Sequence, residues 1–222
     1  MSHTAQFFQA IQAGDETDVQ SLLAADPSLA RATNERGQSA ILAAGYSGRT
    51  AIRDLLLARG AALELHEAAA AGELRRVKEL VGGNPALAKS YSPDGFPVCA
   101  LAAVFGHRAV MEYLVAQGAD VNAAATNGTG YTALTGAVAS GHTEIVAWLL
   151  AQGAGANYRY GPGYSPLLAG AANGHLDIVK LLLEHGADLH ARTDDGQTAL
   201  RLAEARGHQP VAEFLRGRAA SA

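Results

Sequence analysis

A chain of 222 residues, 49% of them apolar, with a net charge of −4, can bury a sizeable core and has the composition of a soluble globular protein. The acidic balance, with no Lys/Arg-rich run against it, argues against nucleic acid or an anionic membrane surface as partner. One cysteine, Cys99, can form no internal disulfide. The first residues carry neither the basic nor the apolar stretch of a leader, and no window nears the roughly 18 apolar residues of a membrane span, so the expected setting is the cytoplasm.

Along the chain, one frame recurs. "IQAGDETDVQSLLAADP", "AGYSGRTAIRDLLLARGAAL" and "AAAAGELRRVKELVGG" come first. "AVFGHRAVMEYLVAQGADVN", "AVASGHTEIVAWLLAQGAGAN", "GAANGHLDIVKLLLEHGADLH" and "AEARGHQPVAEFLRG" follow. The seven units are keyed on Gly14, Gly48, Gly72, Gly106, Gly141, Gly174 and Gly207, and histidine follows the last four of these. Each unit reads as two short helices. The first carries small residues (Ala102, Ala103, Ala137, Ala171, Ala172) and stops at the keyed glycine. The second places apolar residues three and four apart, as in Ile145, Val146, Leu149 and Leu150, or Ile178, Val179, Leu182 and Leu183. Glu144 and Asp177 fall in its first turn, where the helix dipole favours negative charge. Gly60, Gly118, Gly153 and Gly186 end it, and polar links such as "TNGTGY", "RYGPGY" and "RTDDGQ" read as hairpin turns.

The intervals between keyed glycines are 34, 24, 34, 35, 33 and 33 residues. The short one arises because Ala61 is followed almost at once by the next first helix, "LELHEAAAAG"; one hairpin is expected to be missing there. The same 58-residue offset lays "DPSLARATNERG" over "NPALAKSYSPDG", a hint of a duplicated pair. Fewer contacts are expected across the junction of units two and three, making it a hinge or a point where unfolding divides.

These units resemble ankyrin repeats, in a period of about 33 residues, over residues 4–217. "GYTALTGAVASGHTEIVAWLLAQGA" and "GYSPLLAGAANGHLDIVKLLLEHGAD" lie nearest the family pattern. The family's Thr-Pro-Leu-His segment is never complete: Ser39-Ala40-Ile41-Leu42, Pro97-Val98-Cys99-Ala100, Thr132-Ala133-Leu134-Thr135, Ser165-Pro166-Leu167-Leu168 and Thr198-Ala199-Leu200-Arg201 stand in its place. Its histidine is absent throughout, so the family's Thr–His hydrogen bonding is not expected. The resemblance implies an all-α ankyrin-repeat solenoid of seven helix pairs with short β-hairpin links, one hairpin missing between units two and three. It implies a single domain over 1–222, with units near 4–31, 34–62, 63–90, 92–123, 126–156, 159–190 and 192–217.

The recurrent histidines could be metal ligands or general bases. Packed helices stand about 8–10 Å apart, whereas zinc holds each ring nitrogen at about 2 Å, so histidines of adjacent units do not readily share an ion. Arg49, Glu73 and Asp15 occupy the slot in other units, and His142 is read as scaffold. Other chemical patterns fail in their details. "NGTGYTALTG" lacks the Gly-Lys-Ser/Thr ending of a phosphate loop. "GYSPL" has Leu167 where a nucleophile elbow needs glycine, and "HEAAA" has Ala70 where a zinc-protease helix needs histidine. Cys99 sits where Leu134, Leu167 and Leu200 sit in other units and reads as a small core residue. No catalytic residue, metal ligand or cofactor is expected.

The aromatics divide into two sets. Tyr113, Trp148 and Phe214 share one second-helix slot and are expected to pack between outer helices. Tyr46, Phe96, Phe105, Tyr131, Tyr158, Tyr160 and Tyr164 lie outside that frame; Phe96, Tyr131 and Tyr164 take fingertip slots and Tyr46 and Phe105 inner-helix-end slots that in the family face the concave side, and Leu101 joins Phe105 on that face. They form the candidate partner-binding set, since large rigid side chains concentrate binding energy. The expected activity is non-enzymatic capture of an unidentified protein partner by a monomer, with no nucleic acid and no membrane. A second reading is a small-molecule pocket left by the lost hairpin, lined by Phe96, Leu101 and Phe105. For Phe96, Phe105 and Leu101, filling of the gap competes with binding. Alanine at Tyr131, Tyr160 and Tyr164 is expected to leave stability nearly unchanged while abolishing capture.

Overall fold

The computed structural model describes residues 2–220 apart from Ala62; the expected domain ends at 1 and 222 and the expected end of unit two at 62 lie outside it. Seven pairs of α-helices follow one another: α1 (His3–Ala13) and α2 (Glu16–Ala25), α3 (Ala40–Tyr46) and α4 (Thr50–Ala58), α5 (Leu65–Ala71) and α6 (Leu74–Gly83), α7 (Val98–Val104) and α8 (Arg108–Ala116), α9 (Ala133–Ser140) and α10 (Thr143–Ala151), α11 (Pro166–Ala172) and α12 (Leu176–Glu184), α13 (Ala199–Ala205) and α14 (Gln209–Ala219). Odd-numbered helices pack on one another in an inner row, and each even-numbered helix packs on its own partner in an outer row. Matching 3-10 turns, Pro27–Arg31 and Pro85–Lys89, follow α2 and α6; they lie within the two segments that the 58-residue offset superimposes.

The inner helices start where a hydroxyl can satisfy a free backbone N–H. Ser39, Ser165 and Thr198 accept hydrogen bonds from the N–H groups of Leu42, Leu168 and Arg201. Thr132 and Thr135 form a reciprocal capping box at α9. The Thr or Ser of the incomplete tetrapeptide is thus a helix cap and needs no histidine partner. Pro97 takes that place at α7, which has no side-chain cap.

The links project as fingers: residues 33–39 (finger two), 91–97 (four), 125–131 (five), 160–164 (six) and 192–198 (seven). Four of them are closed by a single antiparallel bridge, Thr33 with Ser39, Tyr91 with Pro97, Tyr160 with Tyr164 and Arg192 with Thr198. Finger five is closed by the Ala125 N–H donating to the Tyr131 carbonyl at 2.7 Å. These are tight turns, too short for a ladder, and no strand forms among the described residues. Between α4 and α5 only residues 59–64 intervene, against 84–97 between α6 and α7.

One contact joins unit to unit. The keyed glycine ends an inner helix at positive φ, and the side chain that follows the next keyed glycine lies directly on it. A β-carbon built on Gly72, Gly106, Gly141 or Gly174 would fall 2.5–2.9 Å from the ring of His107, His142, His175 or His208. On Gly14 it would fall 2.8 Å from the Arg49 guanidinium. The rings also reach the preceding inner helix: Nε2 of His107, His142 and His208 donates to the carbonyls of Ala70, Val104 and Ala172 at 2.9, 2.9 and 3.0 Å. Arg49 does the same to Gln12 at 3.1 Å. Gly48 is the exception among internal junctions, with nothing within 4 Å of its notional β-carbon.

The buried side chains divide at that same junction. One cluster runs from Phe7 to Ala61 and includes Ile11, Leu23, Ile52 and Leu56. A second runs from Leu65 to Leu215. A small third cluster of Leu42, Ala70 and Leu101, flanked by Phe96 and Phe105, draws on units two, three and four. Tyr113, Trp148 and Phe214 are partly buried against the second cluster. Lys78 and Lys180, one outer helix back, stand over the Tyr113 and Phe214 rings at 5.6 and 6.0 Å.

Gly106→Ala and Gly48→Ala separate the two roles of the keyed glycine. Both residues have positive φ, 81° and 66°, which costs a residue with a β-carbon about 1 kcal/mol or more. Only Gly106 lies under a ring, so its substitution should lose about 2–4 kcal/mol by urea titration and that of Gly48 about 1 kcal/mol. Equal losses would contradict the clamp.

Candidate functional site

The finger tips and the C-terminal ends of the inner helices share one face, and the aromatics outside the frame gather there. Tyr46, the last residue of α3, has its ring centroid 5.3 Å from that of Phe105 and 5.9 Å from that of Phe96. Phe96 continues to Tyr131 at 6.5 Å, Tyr131 to Tyr160 at 5.2 Å, and Tyr160 to Tyr164 at 6.4 Å, all with tilted planes. Six of the eight residues singled out from the sequence therefore form one unbroken ribbon across units two, four, five and six. Tyr158 stands beside it, its hydroxyl 3.3 Å from the position of a β-carbon on Gly130.

Leu101 is the correction. It is 0% exposed and belongs to the small cluster with Leu42 and Ala70, so it has no surface to offer a partner. It sits on the side of α7 that faces α5, and the space above it is filled by Phe96 and Phe105. The Phe105 ring lies 3.2 Å from where a β-carbon on Gly45 would stand; a ring of unit four thus rests on an inner helix of unit two. Leu101 fills the gap beneath Phe96 and Phe105, while Tyr46, 36% exposed, and the half-buried Phe96, Phe105 and Tyr131 present ring surface. Tyr160 and Tyr164 pack against the main core as well as along the ribbon, so alanine at these two positions costs stability, contrary to the expectation from sequence.

Two clefts flank the ribbon. The larger, about 750 Å³, lies between fingers two, four and five, and Arg36, Gln38, Tyr46, Asp94, Phe96 and Asn127 line it. Neither Leu101 nor Phe105 lines it, which revises the expected pocket. The smaller, about 350 Å³, includes Tyr131, Tyr160, Tyr164, Asn173 and Arg206.

Asp94 is the polar centre of the larger cleft and was not singled out from the sequence. It accepts hydrogen bonds from Ser92 Oγ and from Gln38 Nε2 at 3.0 Å, across 56 positions of chain, and the Tyr46 hydroxyl faces it. The one available signal was the 24-residue interval, which brings finger four next to finger two. Burial, with the Asp94 charge and hydrogen bond, holds the Tyr46 hydroxyl well above its ordinary range. Burial does the same to Tyr160 and pushes the Cys99 thiol up to about 12, so that thiol is not a nucleophile at neutral pH. Burial lowers His66, whose Nε2 lies 3.1 Å from Ser90 Oγ, and outweighs the Ala70 carbonyl in lowering His107. No group of three or more His, Cys, Asp or Glu side chains suited to a metal ion occurs among the described residues.

A family model for ankyrin repeats (three copies) matches residues 65–160 and 148–221, and the chain belongs to the ankyrin-repeat family. The match starts at the first residue of α5, where the buried clusters divide. A search of curated proteins returned no match. Ankyrin repeats generally act as protein–protein interaction modules and are typically non-enzymatic.

The shifted groups set a pH window. His66 and His107 titrate below their ordinary 6.5 when folded, so the stability they contribute is complete above 6.5 and is lost as pH falls through their folded values. Cys99 titrates above its ordinary 9.0 and Tyr46 and Tyr160 above their ordinary 10.0, so the stability they contribute is complete below 9.0 and is lost as pH rises beyond it. The melting temperature should therefore fall on either side of that window, with a shallower alkaline limb in Tyr46→Phe and a shallower limb just below pH 6.5 in His107→Ala. Limbs identical to those of the parent would refute the assignment.

Proposed function

We propose that this protein is a non-enzymatic interaction module that holds a segment of a partner protein along the aromatic ribbon, on the face built from finger tips and inner-helix ends. The observation that carries the reading is the ribbon itself. Tyr46 and Phe96 help to close the gap beside the absent finger, yet their rings and that of Tyr131 meet in series and keep part of their surface open. Aromatic rings at the centre of such a face supply large contact area at little cost in side-chain entropy. Three of the four unit-to-unit histidines, His107, His142 and His208, are already engaged with backbone carbonyls of the preceding unit.

The size of the larger cleft favours a second reading. A volume near 750 Å³ falls in the range of small-molecule sites, about 300–1,000 Å³, with Tyr46 and Phe96 as its apolar wall and Gln38, Asp94 and Asn127 as polar contacts. A metabolite bound there would raise the melting temperature of the parent and not that of Phe96→Ala.

The two readings part in one set of pull-downs from the source organism. Tyr131→Ala should lose the captured protein by about tenfold or more, while Arg75→Ala, on exposed outer helix α6, keeps it. Capture undiminished in Tyr131→Ala, or lost equally in Arg75→Ala, would retire the protein-binding reading.

A further inference from the structure

The junction of units two and three lacks both devices that hold the others. No ring lies on Gly48, because Glu73 stands where histidine or arginine stands elsewhere, and the short link 59–64 leaves no finger three between fingers two and four. The two large buried clusters meet there without merging, the first ending at Ala61 and the second starting at Leu65, with Leu63 against both and the small cluster of Leu42, Ala70 and Leu101 crossing between them. Helix α5, packed between α3 and α7, also carries Glu67, 8% exposed, with no hydrogen-bond partner for Oε2. Such a group weakens its surroundings unless water can reach it.

Contacts that skip unit three take the place of the absent clamp. A β-carbon on Gly37 in finger two would be 3.1 Å from Pro93 in finger four. Gln38 donates to Asp94 at 3.0 Å, and Tyr46 faces that same carboxylate. Phe105 lies over Gly45, and Tyr46 meets both Phe96 and Phe105. Every one of these ties unit two to unit four.

We infer that α1–α4 and α5–α14 are two bodies able to turn relative to each other at the unclamped Gly48 junction, and that a latch from finger two and α3 to finger four holds them in register. Closed, the latch joins Tyr46 to the ribbon and forms the larger cleft, whose walls come from both bodies. Open, it detaches Tyr46 from Phe96, separates Gln38 from Asp94 and uncovers Leu42 and Leu101. A latch made of one polar hub and a few ring contacts is a two-state element of modest free energy, whose minor state falls in the range of about 0.1–10%. The inference does not depend on what the ribbon binds, since it concerns the free protein.

The test is a pair of spin–spin distances in the full chain. Labels on cysteines replacing Gln20 in α2 and Arg75 in α6 span the junction, and labels at Arg75 and Gln152 span only the second body. Cys99 stays in place, because its buried thiol does not take label. Each pair should show one narrow distance in the parent. In Gln38→Ala/Asp94→Ala the 20/75 pair should gain a second, longer population of about a tenth of the molecules or more, with 75/152 unchanged. Should that variant unfold, Gly45→Ala, which forces Phe105 away, is read in the same way. A single unchanged 20/75 distance, or equal broadening of both pairs, would overturn the latch.

Discussion

The structure depends on a small steric fact repeated along the chain: an inner helix ends on a glycine at positive φ, and a flat side chain from the next unit occupies the space a β-carbon would need. The glycine is required twice, by its backbone conformation and by the ring or guanidinium lying on it. The rings of His107, His142 and His208 in turn satisfy a carbonyl at the end of the preceding inner helix, where intrahelical partners run out. Each such hydrogen bond contributes only about 1 kcal/mol. In a stack whose units touch only their neighbours, these interface terms add to the stability of the whole. They also explain a period that holds near 33–35 residues wherever the clamp is present.

Where the clamp is absent, the molecule is held by other means, and there the aromatics begin. Loss of one finger lets finger four approach finger two, and Phe105 and Leu101 close the space over α5. Tyr46, Phe96 and Asp94 then belong at once to that repair and to the larger cleft. The ribbon that starts as a filling for the gap continues beyond it through Tyr131 to Tyr160 and Tyr164, which only partly need to be there for packing. Stability and surface are thus less separable near unit two than near unit six. The aromatic face has a buried root and an open crest.

The frame was legible in the sequence because it is periodic. Glycines at a fixed interval, apolar positions three and four apart, and the single 24-residue interval located the helices and the short link before any coordinates. The role of His142 was legible for the same reason: a slot that tolerates Arg49 and Glu73 is structural. What periodicity cannot report is how side chains from units two apart meet. The Gln38–Asp94 hydrogen bond and the Phe105–Gly45 contact join residues about sixty positions apart in sequence, and nothing local marks them. Leu101 is buried, as are Gly136, Ala169 and Leu202 at the same position of the following units, so its slot never offered surface; its size serves the space beside the absent finger. Fingers read as β-hairpins are turns, four of the five closed by a single bridge, since links of five to seven residues have no length for a ladder.

Glycine and histidine lock the frame, and the proposed function assigns the aromatic face to a partner. Hydrogen exchange of the protein with and without its captured partner tests that division most directly. The account requires new protection at the fingers and inner-helix ends that carry Tyr46, Tyr131, Tyr160 and Tyr164, and none along the outer helices α6, α8, α10 and α12. New protection confined to those outer helices, with the fingers exchanging as before, would contradict it.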